Sequence, residues 1–179
     1  MKGIVFTEFL EMVETKFGLE MVDYIVESSD LKSKGAYTSI GTYDFVEMLQ
    51  LIGHLSEKTA IPAEKLIYEY GLYFFGYLET NYPHIFKQYN SPVAFLHSVE
   101  GHIHVQVRKI YPDAELPTFE VREIGPNQME MIYHSKRALY KFAEALIRKT
   151  FDHYHEKCEI ELKMIQSNGT EVKFMIQHD

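Results

Sequence analysis

The sequence predicts an α+β fold: a mostly helical first two thirds, then a four-stranded antiparallel sheet with a long helix between its two hairpins. Three observations predict it. Apolar residues recur at helical spacing as far as Pro112. Beyond it, apolar and polar residues alternate, the period of a half-buried strand. Two turn signals, "GPNQ" and "SNG", each fall between alternating segments.

The elements come in this order. In "TEFLEMVETKFG", Phe9, Met12, Val13 and Phe17 form one helical stripe, and Gly18 ends it. "LEMVDYIVESS" repeats the pattern through Met21, Tyr24 and Ile25. "SKGAYTSIGTYD" has the Gly, Ser and Thr content of a loop. "YDFVEMLQLIGHLSEKT" is amphipathic. The next helix starts at Pro62, near the first helical position, and ends before Pro83. Another begins after Pro92 and stops at Pro112. "PTFEVREI" and "MEMIYHS" then alternate about "GPNQ". "KRALYKFAEALIRKTFDHYH" returns to helical spacing. "CEIELKMIQ" and "TEVKFMIQ" flank Asn168-Gly169, a strong hairpin signal. No repeat or linker divides the chain, so residues 1–179 read as a single domain.

Composition narrows the function. A net charge of −8, with no run of Lys or Arg longer than two, disfavours nucleic acid and anionic membranes. No stretch is apolar enough to cross a membrane, and Glu8 and Glu11 interrupt the N-terminus where a secretory signal would be uncharged. One cysteine, Cys158, suits a reducing compartment. The expectation is a cytoplasmic protein. Thirteen Tyr and twelve Phe can fill a core or line a pocket for a flat apolar ligand.

Motifs for common enzyme chemistry are absent: no phosphate-binding glycine loop, nucleophile elbow, His-Glu-x-x-His helix or Cys-x-x-Cys pair. The chain is therefore not expected to be an enzyme. "HYHEKC" carries His153, His155 and Cys158, but histidines two apart on a helix diverge by roughly 200°. Near "SVEGHIHVQV" the apolar stripe runs through Leu96, Val99, Ile103, Val107 and Ile110, with His97 and His104 together at its edge. His102 and His104 face opposite ways, so at most one points inward. An inward histidine serves as a hydrogen-bonded core residue or as a metal ligand, imidazole being the usual axial ligand of haem iron.

Tyr133, Ser135 and Arg137 stand two residues apart where strand meets helix. Arginine binds a carboxylate through two parallel bonds, and two hydroxyls add donors. Ser135 as an N-cap of the next helix is the alternative. Haem answers both features, with iron for the histidine and two propionates for the donors.

Taken together, these residues make a sequence that resembles the haem-nitric oxide/oxygen binding (H-NOX) family, bacterial relatives of the haem domain of soluble guanylate cyclase. The resemblance spans the chain: "MKGIVF", "YGLYFFGYLETNYP", "HVQVRKIYPDAELPTF" and "YHSKR". Tyr111 and Pro112 begin seven residues after His104, and Pro117 stands at thirteen; counting from His102 fails.

The resemblance implies haem b buried between two lobes, with His104 on the iron and Tyr133, Ser135 and Arg137 on the propionates. Pro117 would press on the porphyrin. Val5, Phe9, Phe74, Leu78, Phe142 and Leu146 would line the pocket. Oxygen-binding members place a tyrosine over the gas with an assisting asparagine; Phe142 and Phe74 stand at those positions here. The implied function is a gas sensor for nitric oxide and carbon monoxide that discriminates against oxygen. It would signal through release of the His104 helix to a separate histidine kinase or cyclic-di-nucleotide enzyme. Tyr140, Tyr73 and Tyr77 are close enough in sequence to test that oxygen reading. A haem-free adaptor for a small apolar ligand is the alternative.

Overall fold

A computed structural model describes residues 1–179. Helices α1 (Gly3–Phe17), α2 (Leu19–Glu27), α3 (Phe45–Thr59) and α4 (Ala63–Asn81) form the N-terminal lobe. The start of α1 is tied to the loop before α3. Gly3 N–H donates to Gly41 O at 2.8 Å and Ile4 N–H to Ser39 O at 2.9 Å, which satisfies two free amides of the first turn. A Cβ at position 3 would lie 1.8 Å from Thr38 O, so only glycine fits there. Asp44 caps α3, its carboxylate accepting from Val46 N–H at 3.1 Å.

The short helices α5 (Pro83–Phe86) and α6 (Pro92–His97) begin at prolines, and Ser91 caps the second. The expected single helix from Pro92 to Pro112 is interrupted. Val99–Ile103 forms a π turn, and α7 (His104–Ile110) comes next. Ser98 O accepts from both His102 N–H at 2.8 Å and Ile103 N–H at 3.1 Å. The extra residue rotates the succeeding turns by about 100° relative to an uninterrupted helix. His97 and His104 consequently part company. His97 lies at the surface, 3.4 Å from Glu123, while His104 is buried.

Strands β1 (Thr118–Gly125), β2 (Gln128–His134), β3 (Cys158–Met164) and β4 (Glu171–His178) form one antiparallel sheet in the order β1-β2-β4-β3. The two hairpins join through β2 and β4, with Met131 opposite Phe174 and Tyr133 opposite Val172. Alternate residues Met129, Met131 and Tyr133 of β2 are buried, as are Val172, Phe174 and Ile176 of β4. Helix α8 (Tyr140–His153) connects the hairpins and starts four residues later than its apolar spacing suggests, because Lys136-Arg137 is a turn and Ala138 has a positive φ of 51°.

Two apolar cores result. One gathers Phe6, Phe9, Met12, Leu51, Leu55 and Tyr70 among α1 to α4. The other gathers residues of the sheet with Phe75, Phe86, Phe95 and Phe151. Helix α4 feeds both, and it packs closely on α8 at Gly71, where a Cβ would meet Ala145 Cβ at 2.6 Å.

Candidate functional site

A cavity of ≈ 320 Å³ lies between these cores, and 31 of its 38 lining residues are hydrophobic. Met48, Ile52 and Tyr70 come from the first core; Phe75, Phe86 and Met131 come from the second. Such a space favours a large apolar guest, with orientation left to a few polar groups.

The predicted stripe Leu96, Val99, Ile103, Val107 and Ile110 lines one side, together with His104 and Pro117. His104 Nδ1 is buried, 3.0 Å from Glu100 Oε1 but outside good hydrogen-bond alignment. No protein group bonds Nε2. Burial lowers the imidazole pKa, with Glu100 opposing, so the ring is held neutral and able to ligate a metal. His102 belongs elsewhere: its Nδ1 meets the Tyr89 hydroxyl and its Nε2 meets Gln106 at 3.1 Å.

Tyr133, Ser135 and Arg137 also line the cavity. They converge through a turn, not along an extended strand, since β2 ends at His134. Ser135 is not the N-cap of α8. Its N–H donates to Thr170 O at 2.9 Å and its hydroxyl accepts from Arg137 N–H at 3.2 Å. Tyr133 Oη accepts from Leu139 N–H at 2.9 Å, just ahead of α8, and burial raises the phenol pKa. The Arg137 guanidinium bonds Glu115 twice, to the backbone O and to Oε2, each at 2.7 Å, and lies 5.8 Å from the Phe45 ring. The Met1 ammonium and Lys2 stand on the same rim; the Met1 pKa is lowered by burial and then by Arg137.

A different wall is aromatic. Phe142 lies 5.5 Å from Phe74 and 5.3 Å from Tyr70, ring to ring. Val5, Leu78 and Leu146 line the cavity beside them. Phe9 does not. It is fully buried in the N-terminal core, edge-on to Tyr70 at 5.3 Å, and Tyr70 takes the lining position. Tyr140 points away and bonds Glu64 at 2.5 Å. Tyr73 does not line the cavity, whereas Tyr77 does.

Sequence reasoning missed Tyr70, Glu100, Glu115 and Phe119. Tyr70 lies four residues before Phe74, so helical spacing alone could have found it. Glu100 lies four before His104, a spacing that the π turn makes hard to trust. Glu115 and Phe119 carry no motif. Elsewhere, His153 Nδ1 sits 2.6 Å from Glu79, and no group of three or more His, Cys, Asp or Glu comes together to hold a metal.

The residues present fit a flat apolar group bearing a metal and carboxylates. One buried neutral imidazole has a free Nε2, one guanidinium with two hydroxyls sits at the rim beside the Met1 ammonium and Lys2, and most of the rest is apolar. Haem has these features.

The haem-NO-binding family model matches residues 2–162. The unliganded Fe(II) H-NOX protein from K. algicida is 53% identical, with a TM-score of 0.96, over 100% of this chain and 97% of that one. The IWP-051-bound H-NOX from Shewanella woodyi, in its Fe(II)CO state, is 37% identical with a TM-score of 0.84, over 99% and 94%. An H-NOX protein from S. oneidensis in the Fe(II)NO state shares the fold at 22% identity, with a TM-score of 0.92 over 100% and 99%. No curated protein matches. No helix is long and apolar enough to cross a membrane. The cavity, its histidine and its rim arginine thus belong to a haem-based gas-sensor fold, and the chain is a member of the haem-NO-binding, or H-NOX, family.

Proposed function

We propose that residues 1–179 are one sensor domain that holds haem b, binds nitric oxide and carbon monoxide, and discriminates against oxygen. It works in the cytoplasm and acts through a separate partner, a histidine kinase or a cyclic-di-nucleotide enzyme, without catalysis of its own. The observation that carries the choice of gas is the wall of Phe74 and Phe142. Neither ring donates a hydrogen bond, and bound oxygen needs a donor far more than nitric oxide does.

Haem would supply a ferrous iron able to bind a diatomic gas. His104 Nε2 is the nitrogen offered to it. Arg137, with Tyr133 and Ser135, would hold the propionates at the rim, and Pro117 would contact the ring. The His104 bond ties α7 to the cavity. Without that bond α7, whose Val105 and Ile110 are exposed side chains, would be free to shift. A partner that prefers one arrangement of this surface reads the gas as a shift in population.

The visible spectrum of the ferrous protein, with each gas in turn, tests the reading. The expected result is a strong band near the blue edge of the visible that shifts with nitric oxide and with carbon monoxide. A persistent oxygen complex in aerobic buffer would overturn the discrimination. A purified protein that neither carries nor takes up haem would overturn the whole reading.

A further inference from the structure

Glu100 lies in the π turn, four residues before His104. Its Oε1 stands 3.0 Å from His104 Nδ1 and accepts from Phe119 N–H, near the start of β1, at 3.0 Å. One carboxylate oxygen therefore meets two nitrogens from two elements. The Phe119 ring lies 6.1 Å from the His104 ring and 5.7 Å from the Tyr133 ring, so the same strand residue touches both polar ends of the cavity. His104 Nδ1 has no other partner within reach.

We infer that Glu100 is a positioning residue that sets how firmly His104 holds its metal. The inference rests on the proposed haem reading. A carboxylate facing Nδ1 selects the tautomer with the proton there and leaves the Nε2 lone pair for the cavity. It also makes the imidazole a stronger donor, as carboxylates behind metal-bound histidines do. The loose alignment between Glu100 and His104 leaves room for the contact to tighten as the ring turns. The bond to Phe119 fixes Glu100 to the sheet and not merely to its own helix. The orientation of His104 is thereby referred to β1, while α7 remains free to shift. An imidazole that loses its metal still has an anchor beside it, which favours recapture.

Two variants separate this role from a purely structural tie. Glu100→Gln keeps an oxygen for Phe119 N–H but removes the charge; Glu100→Ala removes both. Resonance Raman of the ferrous protein reads the iron–histidine stretch, and a nitric oxide titration reads the balance of six- and five-coordinate spectra. The expected result is a lower stretching frequency in both variants, larger in Glu100→Ala. The coordination balance should shift about tenfold or more toward the histidine-free form in Glu100→Ala. Melting temperature and circular dichroism show whether each variant is folded; if Glu100→Ala is not, Glu100→Gln decides alone. A folded Glu100→Gln with the parent's stretching frequency and coordination balance would reduce Glu100 to a structural tie and overturn the inference. A parent protein with no iron–histidine band would instead overturn the haem reading itself, before the variants are compared.

Discussion

The Tyr70 hydroxyl donates to the backbone carbonyl of Val5 at 2.6 Å, across the junction of α4 and α1. That bond engages the one phenol that packs on both Phe74 and Phe142. Tyr70 packs against both Phe74 and Phe142, ring to ring at 5.8 and 5.3 Å, while Tyr77 stacks on Phe74 at 5.7 Å. Its proton is already committed, and its burial is complete enough to raise the phenol pKa well above the usual value. Tyr70, Phe74 and Phe142 therefore present ring faces and edges to the cavity.

Adding a free hydroxyl to this wall should change the gas. Phe142→Tyr is expected to give a measurable oxygen complex. A hydrogen bond to a charged acceptor contributes about 1.5–3 kcal/mol, so oxygen should dissociate roughly 10- to 100-fold more slowly than from the parent. Tyr70→Phe should leave oxygen binding as weak as in the parent and cost about 1 kcal/mol of stability from the lost bond to Val5. Stopped-flow oxygen dissociation and chemical denaturation measure the two effects. An oxygen complex in the parent that vanishes in Tyr70→Phe would show that Tyr70 turns its hydroxyl inward.

Removing the rim arginine should separate ligand retention from stability. The Arg137–Glu115 pair is short, but the Glu115 side chain is 83% exposed, so solvent screens the pair. Arg137→Ala should change unfolding free energy by no more than about 1 kcal/mol. Haem transfer to an acceptor apoprotein should nevertheless speed up roughly 10-fold or more, from the loss of charge-assisted bonds to carboxylate. Arg137→Lys should recover only part, because an ammonium cannot make the paired contact. Equal haem transfer rates in all three proteins would remove Arg137 from the binding role.

Replacing the buried histidine should be felt at the metal first. His104→Ala is expected to lose haem on purification or to retain it only with added imidazole. In either case the change in coordination on adding nitric oxide should disappear. The comparison is the ferrous and nitrosyl spectra of parent and variant. A variant with the parent's spectra and the parent's control of a partner enzyme would reject His104 as ligand.

Glu8 gives a pH test remote from the rim. It is buried on α1 with no hydrogen-bond or ion-pair partner, and its pKa is raised by burial and then by Glu11. Because the folded value lies above the unfolded one, the carboxyl favours the folded state at pH below the unfolded value. That contribution fades as pH rises through the folded value. Glu8→Gln stays neutral throughout. It should therefore melt higher than the parent at pH 7, with the gap closing as pH falls toward the ordinary carboxylate range. Parallel melting curves at all pH values would mean that Glu8 is solvated in the folded protein.

Much of this molecule is legible in its sequence where the signal is local. Proline marks both ends of α4 and the start of α6, Gly18 marks the end of α1, Asn168-Gly169 marks the last hairpin, and alternation marks all four strands. Tyr133, Ser135, Arg137, His104 and Pro117 were legible as a set because their spacing matches a family, and all five line one cavity. Phe9 failed for a reason that spacing does not contain. It shares a helical face with Val5, but Tyr70 of a distant helix stands between Phe9 and the cavity.

The sequence by itself determined the α+β order of elements, the candidate histidine and arginine, and two phenylalanines that line the cavity. The order of elements follows from backbone periodicity and turn chemistry, which act between near neighbours, and the side chains from the resemblance to a family. Tertiary structure decided the rest. It joined the two hairpins through β2 and β4, widened the helix before His104 by a π turn, and placed Glu100 between His104 and Phe119. It also bound the Tyr70 hydroxyl to Val5. These outcomes depend on which distant groups must share the same buried volume and find hydrogen-bond partners there, and no local pattern of residues encodes that competition.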